Sequence, residues 1–129
     1  MTSYSLITLL LLFTDILTKW LVTVFSLPYS RNYGLFFGFI KDGGNFSLIL
    51  GVTSILAVLI FLSKNSKADK LFRIASALFL SGAFGNFITK LFLGYIIDFL
   101  PGGFMGRFFN LADVYLFTGL IGIFISGMR

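Results

Sequence analysis

Residues 94–113, GYIIDFLPGGFMGRFFNLAD, join the last two of several long apolar runs and carry two of the five carboxylates in the chain. The sequence contains no His, Cys or Glu, so the usual neutral-pH base, thiolate nucleophiles and the commonest metal ligands are missing. Asp98 and Asp113 therefore form the obvious acid–base couple in this region. What they can do depends on where the flanking apolar runs place them.

Composition indicates that the apolar runs lie in a lipid bilayer. The 129 residues are 57% hydrophobic and 19% aromatic, with a mean hydropathy of +0.98, which is more apolar than a soluble domain of this size can bury. Several runs reach the roughly 20 residues that a bilayer-spanning helix needs. We therefore predict an all-α membrane protein, a single domain over residues 1–129. Its four transmembrane helices are expected at about 4–27, 46–62, 72–93 and 110–128.

The basic residues predict how these spans are oriented. Lys64, Lys67, Lys70 and Arg73 form the densest basic cluster and lie between the second and third spans. Because short cytoplasmic loops are enriched in Lys and Arg, we expect this loop and both termini to be cytoplasmic. The formal charge of +5 has the same explanation, so we expect membrane lipid and no nucleic acid as a partner.

The connection between the first two spans contains a shorter apolar segment, residues 33–40, which is too short to cross a membrane. Turn-forming residues surround it, at 30–34 and again at 42–45. This pattern favours short strands or a re-entrant loop at the outer interface. Its aromatic residues are explained either by an interfacial belt or by a cradle that helps to close a site.

Two pairs of polar residues interrupt the spans. Asp15 and Lys19 lie four residues apart in the first span, where each would cost about 2.5–3.5 kcal/mol if it faced lipid at the bilayer centre. They should instead face protein, water or each other. Asn86 and Lys90 share one face of the third span in the same way. The spacing leaves three interpretations open for Asp15 and Lys19: a self-neutralising pair, support for a site, or part of a small transporter, for which so few spans leave little room.

The two aspartates also allow more than one interpretation. Asn110 is a candidate N-cap for the fourth helix, and Asp113 in its first turn would be favoured by the helix dipole without any catalytic role. Asp98 would then be a solvated loop residue. Alternatively, two carboxylates close together in a partly desolvated site cannot both ionise easily, so one keeps a proton and the pair acts on water as general acid and base. Such chemistry needs no metal and no cofactor.

Four stretches, in order, resemble the motif blocks of the lipoprotein signal peptidases (signal peptidase II). They are TDILTKW (14–20), RNYGLFFGF (31–39), SGAFGNFITKLFLGYIIDF (81–99) and FNLADVYLFTG (109–119). The resemblance implies four transmembrane helices with a small extracytoplasmic β-cradle. It also implies an aspartyl endopeptidase of the bacterial cytoplasmic membrane, with its active site near the outer face. Such enzymes cut the signal peptide from a prolipoprotein before its diacylglyceryl-modified Cys.

The resemblance also implies roles for individual residues. Asp98 and Asp113 become the catalytic dyad, and the residues implied to bind substrate or support the site are Asn32, Asn86, Asn110, Lys90, Asp15 and Lys19. The chain departs from the family pattern at Thr89 and Lys90, where most members have Asp-Arg, so a bidentate guanidinium is replaced by a point charge. This departure motivates a second hypothesis, a non-catalytic relative that binds lipopeptides or serves as a structural membrane subunit. The Gly-rich segment 102–106 is either a lid over the site or a slack connection.

Overall fold

Four helices and two short strands make up the part of the chain that the computed structural model describes, residues 2–33, 46–65, 67–103 and 106–127. In chain order these elements are α1 (Ser3–Val24), β1 (Ser30–Asn32), α2 (Phe46–Lys64), α3 (Lys70–Leu93), β2 (Ile96–Asp98) and α4 (Leu111–Gly127). The predicted four helices with a small β element are confirmed. Their ends differ only slightly from the predicted spans.

Length and composition make three of the helices able to cross a membrane. α1, α2 and α3 contain 22, 19 and 24 residues and are apolar along most of their length. α4 is also apolar but shorter, with 17 residues. Large apolar side chains on α1, α2 and α4 are exposed, among them Phe13, Ile49 and Phe124. Exposed apolar faces of this kind are what lipid chains cover in a membrane protein.

Helix α3 lies at the centre of the bundle, because each of the other three helices packs against it. Most of the buried helical residues belong to α3, whereas α2 buries only Ile55 and α4 only Ala112 and Gly119 among the residues described. A Cβ added to Gly119 would collide with the backbone of Phe79 and Ala75. The backbones of α3 and α4 therefore approach closely, as small residues allow in membrane helix pairs.

Local sequence signals explain where α1 and α3 end. α1 stops at Val24, shortly before Pro28, which cannot continue a helix. α3 stops at Leu93, because Gly94 adopts a left-handed conformation with φ of 81° and its N–H donates to the Lys90 carbonyl over 2.8 Å. The chain then turns directly into β2. The end of α3 therefore determines where β2 begins, and with it the position of Asp98.

The two strands form an antiparallel pair that connects distant parts of the chain. Ser30 pairs with Asp98, and Asn32 pairs with Ile96. The sequence suggested short strands between the first two spans, but it did not predict a partner strand after α3. The expected interfacial segment is described only as far as Tyr33. Its remaining residues, 34–40, and the turn residues at 42–45 lie outside the described part of the chain.

Candidate active site

Asp98 is held at the end of β2 by two side-chain amides. The Nδ2 of Asn32, on the paired strand β1, donates to Asp98 Oδ2 over 3.1 Å, and the Nδ2 of Asn110 donates to Asp98 Oδ1 over 2.8 Å. Asp98 is only 3% exposed. It is therefore a buried carboxyl group with donors on both oxygens, which differs from the solvated loop residue that was one of the interpretations of the sequence.

Asp113 lies in the first turn of α4 and is also held through both oxygens. Asn86 Nδ2 on α3 donates to Asp113 Oδ1 over 2.9 Å, and the backbone N–H of Asn110 donates to Asp113 Oδ2 over 3.1 Å. In return the Asp113 backbone N–H donates to Asn110 Oδ1 over 2.9 Å. This reciprocal arrangement is an N-terminal capping box. The predicted capping by Asn110 thus occurs, but it does not exclude a site, because the same side chain also contacts Asp98.

The loop between the two aspartates is closed by a backbone bridge. Leu100 and Phe109 exchange N–H···O bonds of 2.8 and 2.9 Å in an antiparallel pair. Because this bridge brings the two ends of the loop together, Asn110 lies directly beside Asp98 even though twelve positions separate them in sequence. Residues 102, 103 and 106 of the Gly-rich segment lie in the loop beyond the bridge. Its residues 104 and 105 lie outside the described part of the chain, so its suggested role as a lid stays a prediction.

Asp15 and Lys19 form a buried ion pair that contacts α3 and α4. Lys19 Nζ donates to Asp15 Oδ2 over 2.8 Å, and the two side chains are 4% and 0% exposed. The other Asp15 oxygen accepts the backbone N–H of Ala112, at the start of α4, over 2.9 Å. A Cβ on Gly85 would collide with the Asp15 carboxylate. The absence of a side chain at Gly85 therefore makes room for this ion pair.

Asn86 connects the ion pair to the two aspartates. Its Oδ1 accepts from Lys19 Nζ over 3.1 Å and from Asn110 Nδ2 over 3.1 Å, which leaves its Nδ2 to donate to Asp113. We refer to the six residues joined in this network as the aspartate cluster: Asp15, Lys19, Asn86, Asp98, Asn110 and Asp113. Each described contact among these six residues is a hydrogen bond in which a donor meets an acceptor, as buried polar groups require.

Burial and a neighbouring carboxylate change the acidity of Asp98. Desolvation raises the pKa of Asp98, and the negative charge of Asp113 raises it further, to about 7. The amide donors of Asn32 and Asn110 and the positive charge of Lys19 act in the opposite direction on this pKa but are weaker together. Asp98 is therefore able to hold a proton at neutral pH, whereas an ordinary aspartic acid is ionised there.

A mostly apolar cavity opens next to the aspartate cluster. It has a volume of about 270 Å³ and lies between α2, α3 and α4. The polar residues that line it include Asn32, Asn86, Lys90 and Asp113, while most of the wall is formed by apolar side chains of the three helices. One end of the cavity thus presents a carboxylate and amide groups, and the rest offers a surface suited to hydrocarbon.

Thr89 and Lys90, the two positions that depart from the family pattern, both lie beside the aspartate cluster. Thr89 Oγ1 accepts from Lys19 Nζ over 3.2 Å and donates to the Gly85 carbonyl over 2.7 Å. Lys90 Nζ donates to the Tyr33 carbonyl over 2.8 Å, and so connects α3 to the chain just after β1. The structure therefore brings all eight predicted site residues to one end of the bundle, with Lys90 at the cavity wall. Within the described ranges, no three His, Cys or carboxylate groups are placed to hold a metal ion.

Sequence reasoning missed several participants in this region. The backbone N–H of Ala112, the carbonyl of Tyr33 and the hydroxyl of Thr89 were not singled out as contacts. Backbone groups leave no trace in the sequence pattern, so they could not be found that way. Thr89 could have been found, because its position three residues after Asn86 places it on the same helix face.

Together, the fold and the cluster define a multi-pass helical membrane protein with a buried pair of carboxylates beside an apolar cavity. A model of the family described as signal peptidase (SPase) II matches residues 7–129. This chain belongs to the signal peptidase II family. The family resemblance noted in the sequence is thereby confirmed.

Individual relatives agree with this assignment. The lipoprotein signal peptidase of Psychromonas ingrahamii is 40% identical over 106 residues, which are 75% of this chain and 60% of that protein. The match therefore spans about three fifths of that relative's length. The lipoprotein signal peptidase of Bacillus pumilus is 31% identical over 140 aligned positions, covering 95% of this chain and 90% of the relative.

Solved structures share the fold. A bacterial membrane enzyme determined by the in meso method at 2.3 Å resolution superposes with a TM-score of 0.89, at 24% identity, over 98% of this chain and 87% of that one. A second such structure, at 1.9 Å, gives a TM-score of 0.85 at the same identity. At this identity the likeness concerns the fold alone, and it confirms the predicted four-helix architecture.

Proposed function

We propose that this protein is a lipoprotein signal peptidase, an aspartic endopeptidase that cuts the signal peptide from a prolipoprotein before its diacylglyceryl-modified Cys. The observation that carries the proposal is the pair Asp98 and Asp113. Both are hydrogen-bonded to Asn110, and Asp113 lies at the polar end of the apolar cavity. Family membership supports the same reaction, since the relatives named above are lipoprotein signal peptidases.

The environments of the two aspartates suggest how they divide the work. Asp98 holds the proton, because burial and the charge of Asp113 raise its pKa to about 7. Asp113 is the ionised partner, since it accepts a backbone N–H at the N-terminus of α4, where the helix dipole favours negative charge. A pair with one proton can act as general acid and general base in the same step.

In the proposed reaction, Asp113 takes a proton from a water molecule while the water oxygen attacks the scissile carbonyl carbon. Asp98 gives its proton to the carbonyl oxygen, so a neutral tetrahedral diol forms. Asp113 then returns a proton to the leaving nitrogen as the C–N bond breaks, and a diol hydroxyl returns its proton to Asp98. The products are a new carboxyl end and the free amino group of the modified Cys. The amides of Asn32, Asn86 and Asn110 keep both carboxyl groups in place throughout.

The cavity suggests how a lipid-modified substrate is accommodated. Leu50, Phe117 and Leu120 are among the apolar residues that line it, between helices whose outer faces are themselves apolar. We propose that acyl chains of the diacylglyceryl group occupy this surface, so that the adjoining peptide bond reaches Asp113. We further propose that the protein lies in the bacterial cytoplasmic membrane with both termini inside, which places the aspartate cluster near the outer face.

A cleavage assay tests the proposal. Purified protein in lipid nanodiscs is incubated with a diacylglyceryl-modified prolipoprotein, and signal-peptide release is followed for the wild type, Asp98→Asn and Asp113→Asn. We expect cleavage by the wild type and a loss of about 1,000-fold or more in each variant. Wild-type turnover retained by either variant would falsify the dyad. A wild type that binds the lipopeptide without releasing a peptide would instead support the non-catalytic hypothesis.

A further inference from the structure

The ammonium group of Lys19 has more acceptors around it than protons to donate. Within hydrogen-bonding distance lie Asp15 Oδ2 at 2.8 Å, Asn86 Oδ1 at 3.1 Å, Thr89 Oγ1 at 3.2 Å and the Gly85 carbonyl at 3.3 Å. An ammonium carries three protons, so these four oxygens share them. Among these contacts only Asp15 is charged, and the pair is almost fully buried.

Thr89 is fixed as an acceptor toward this ammonium. Its hydroxyl proton is used on the Gly85 carbonyl, at 2.7 Å, so that an oxygen lone pair faces Lys19. Thr89 is itself only 6% exposed. Thr89 thus places a neutral oxygen beside the buried ammonium group of Lys19. A carboxylate at the same position would compete with both Asp15 and Asn86 for the ammonium protons.

Lys19 in turn determines which way the Asn86 amide points. Because Asn86 Oδ1 accepts from Lys19 and from Asn110, its Nδ2 is directed at Asp113. The opposite orientation would place an amide oxygen against a carboxylate oxygen and an amide N–H against an ammonium, which is unfavourable at both ends. Through the side chain of Asn86, Lys19 therefore helps to direct an N–H donor at Asp113.

We propose that Thr89 is a positioning residue: as a neutral acceptor it keeps Lys19 on Asn86 and leaves the ammonium charge available to the two aspartates. This inference rests on the proposed function and deepens it. Among the described residues, the charged and titratable groups around the aspartates are Asp15 and Lys19 from α1, Lys90 from α3, Asp113 from α4 and Asp98 from β2, while β1 contributes the neutral amide of Asn32. Lys90 donates to the Tyr33 carbonyl on the cavity side.

The expected effect of a second carboxylate follows from the signs of these charges. A positive charge favours an ionised carboxyl group, and Lys19 lowers the pKa of Asp98 in this way. Thr89→Asp would partly neutralise Lys19 and draw it from Asn86, so the pKa of Asp98 should rise by about half a unit or more. The pH profile of kcat should move to higher pH with it, while KM changes little. Thr89→Ser keeps the hydroxyl and should leave the profile where it is in the wild type.

The experiment combines two measurements on the full-length protein in nanodiscs. The titration of Asp98 is followed by ¹³C NMR of labelled aspartate carboxyl groups, and the pH dependence of prolipoprotein cleavage is measured in parallel. If Thr89→Asp does not fold, Lys19→Gln removes the positive charge without adding a carboxylate, and the same upward shift of the Asp98 titration is expected. An unchanged Asp98 titration in whichever of these two variants is folded overturns the inference, and so does an equal shift in Thr89→Ser. If the wild type fails to cleave, the proposed function fails, but the Asp98 titration still decides the role of Thr89.

Discussion

The N-termini of α3 and α4 are both capped by a short polar side chain, yet only one of them belongs to the candidate site. Asp69 caps α3 by accepting the Phe72 N–H over 2.8 Å, and it is exposed, with Ser126 Oγ as a further donor. Asn110 caps α4 with similar geometry but is completely buried, and its amide also contacts Asp98. A helix cap therefore acquires chemical significance when it is desolvated and shared with a second carboxyl group.

The largest difference in cleavage between the two helix N-termini is expected when their capping side chains are truncated. Asn110→Ala removes the cap and the donor to Asp98, so cleavage should fall by about 1,000-fold, and stability should fall through the unsatisfied buried partners. Asp69→Ala removes an equivalent cap at the exposed end and should cost about 1 kcal/mol of stability at most, with cleavage retained. The measurements are prolipoprotein cleavage and unfolding in SDS-containing mixed micelles. Similar cleavage rates in the two variants would contradict the distinction between the buried cap of α4 and the exposed cap of α3.

A second prediction concerns the pH dependence of stability. Because the pKa of Asp98 is raised from 3.8 to about 7 in the folded protein, the folded state binds this proton more tightly than the unfolded state does. The bound proton on Asp98 therefore makes its full contribution to the free energy of unfolding below about pH 4. This contribution is lost as the pH rises toward 7, by an amount on the order of 3 kcal/mol. Asp98→Asn should remove this slope, whereas Asp69→Asn should retain it. The slope is measured as the free energy of unfolding between pH 4 and 7, and equal slopes in the wild type and Asp98→Asn would count against a buried, protonated Asp98.

A smaller effect is expected from the packing around the ion pair. Gly85→Ala places a methyl group against the Asp15 carboxylate, so Asp15 must move away from Ala112 or Lys19. We expect a loss of about 1–2 kcal/mol in stability and a reduction in cleavage of about tenfold. Gly127→Ala, at the other end of the bundle, meets no atom within 4 Å and serves as the matched control. Wild-type stability in Gly85→Ala would show that the ion pair tolerates displacement.

Much of the helical architecture could be predicted from the sequence because bilayer thickness sets the length of apolar runs. The spacing of Asp15 and Lys19 also predicted a possible pair, since residues four apart share a helix face. The pairing of β1 with β2 could not be predicted, because strands of three residues carry no usable periodicity and their register depends on the end of α3.

The candidate site was only partly accessible to the same reasoning. The choice of Asp98 and Asp113 as the acid–base candidates rested on the absence of His, Cys and Glu. The capping role of Asn110 could be predicted from its position before an apolar run. The second role of Asn110, as the donor to Asp98, depends on the bridge between Leu100 and Phe109, which is a tertiary contact. The contact between Thr89 and Lys19 likewise depends on how α1 and α3 align.

The proposed mechanism requires that Asp98 and Asp113 form one coupled pair that holds a single proton at neutral pH. This requirement is tested by site-resolved ¹³C NMR titration of the Asp98 carboxyl group in nanodiscs, in the wild type and in Asp113→Asn. We expect a midpoint near pH 7 in the wild type and a clearly lower midpoint in Asp113→Asn, because the negative charge of Asp113 contributes to the raised pKa of Asp98. A wild-type midpoint near 4, or one that does not respond to Asp113→Asn, would contradict it.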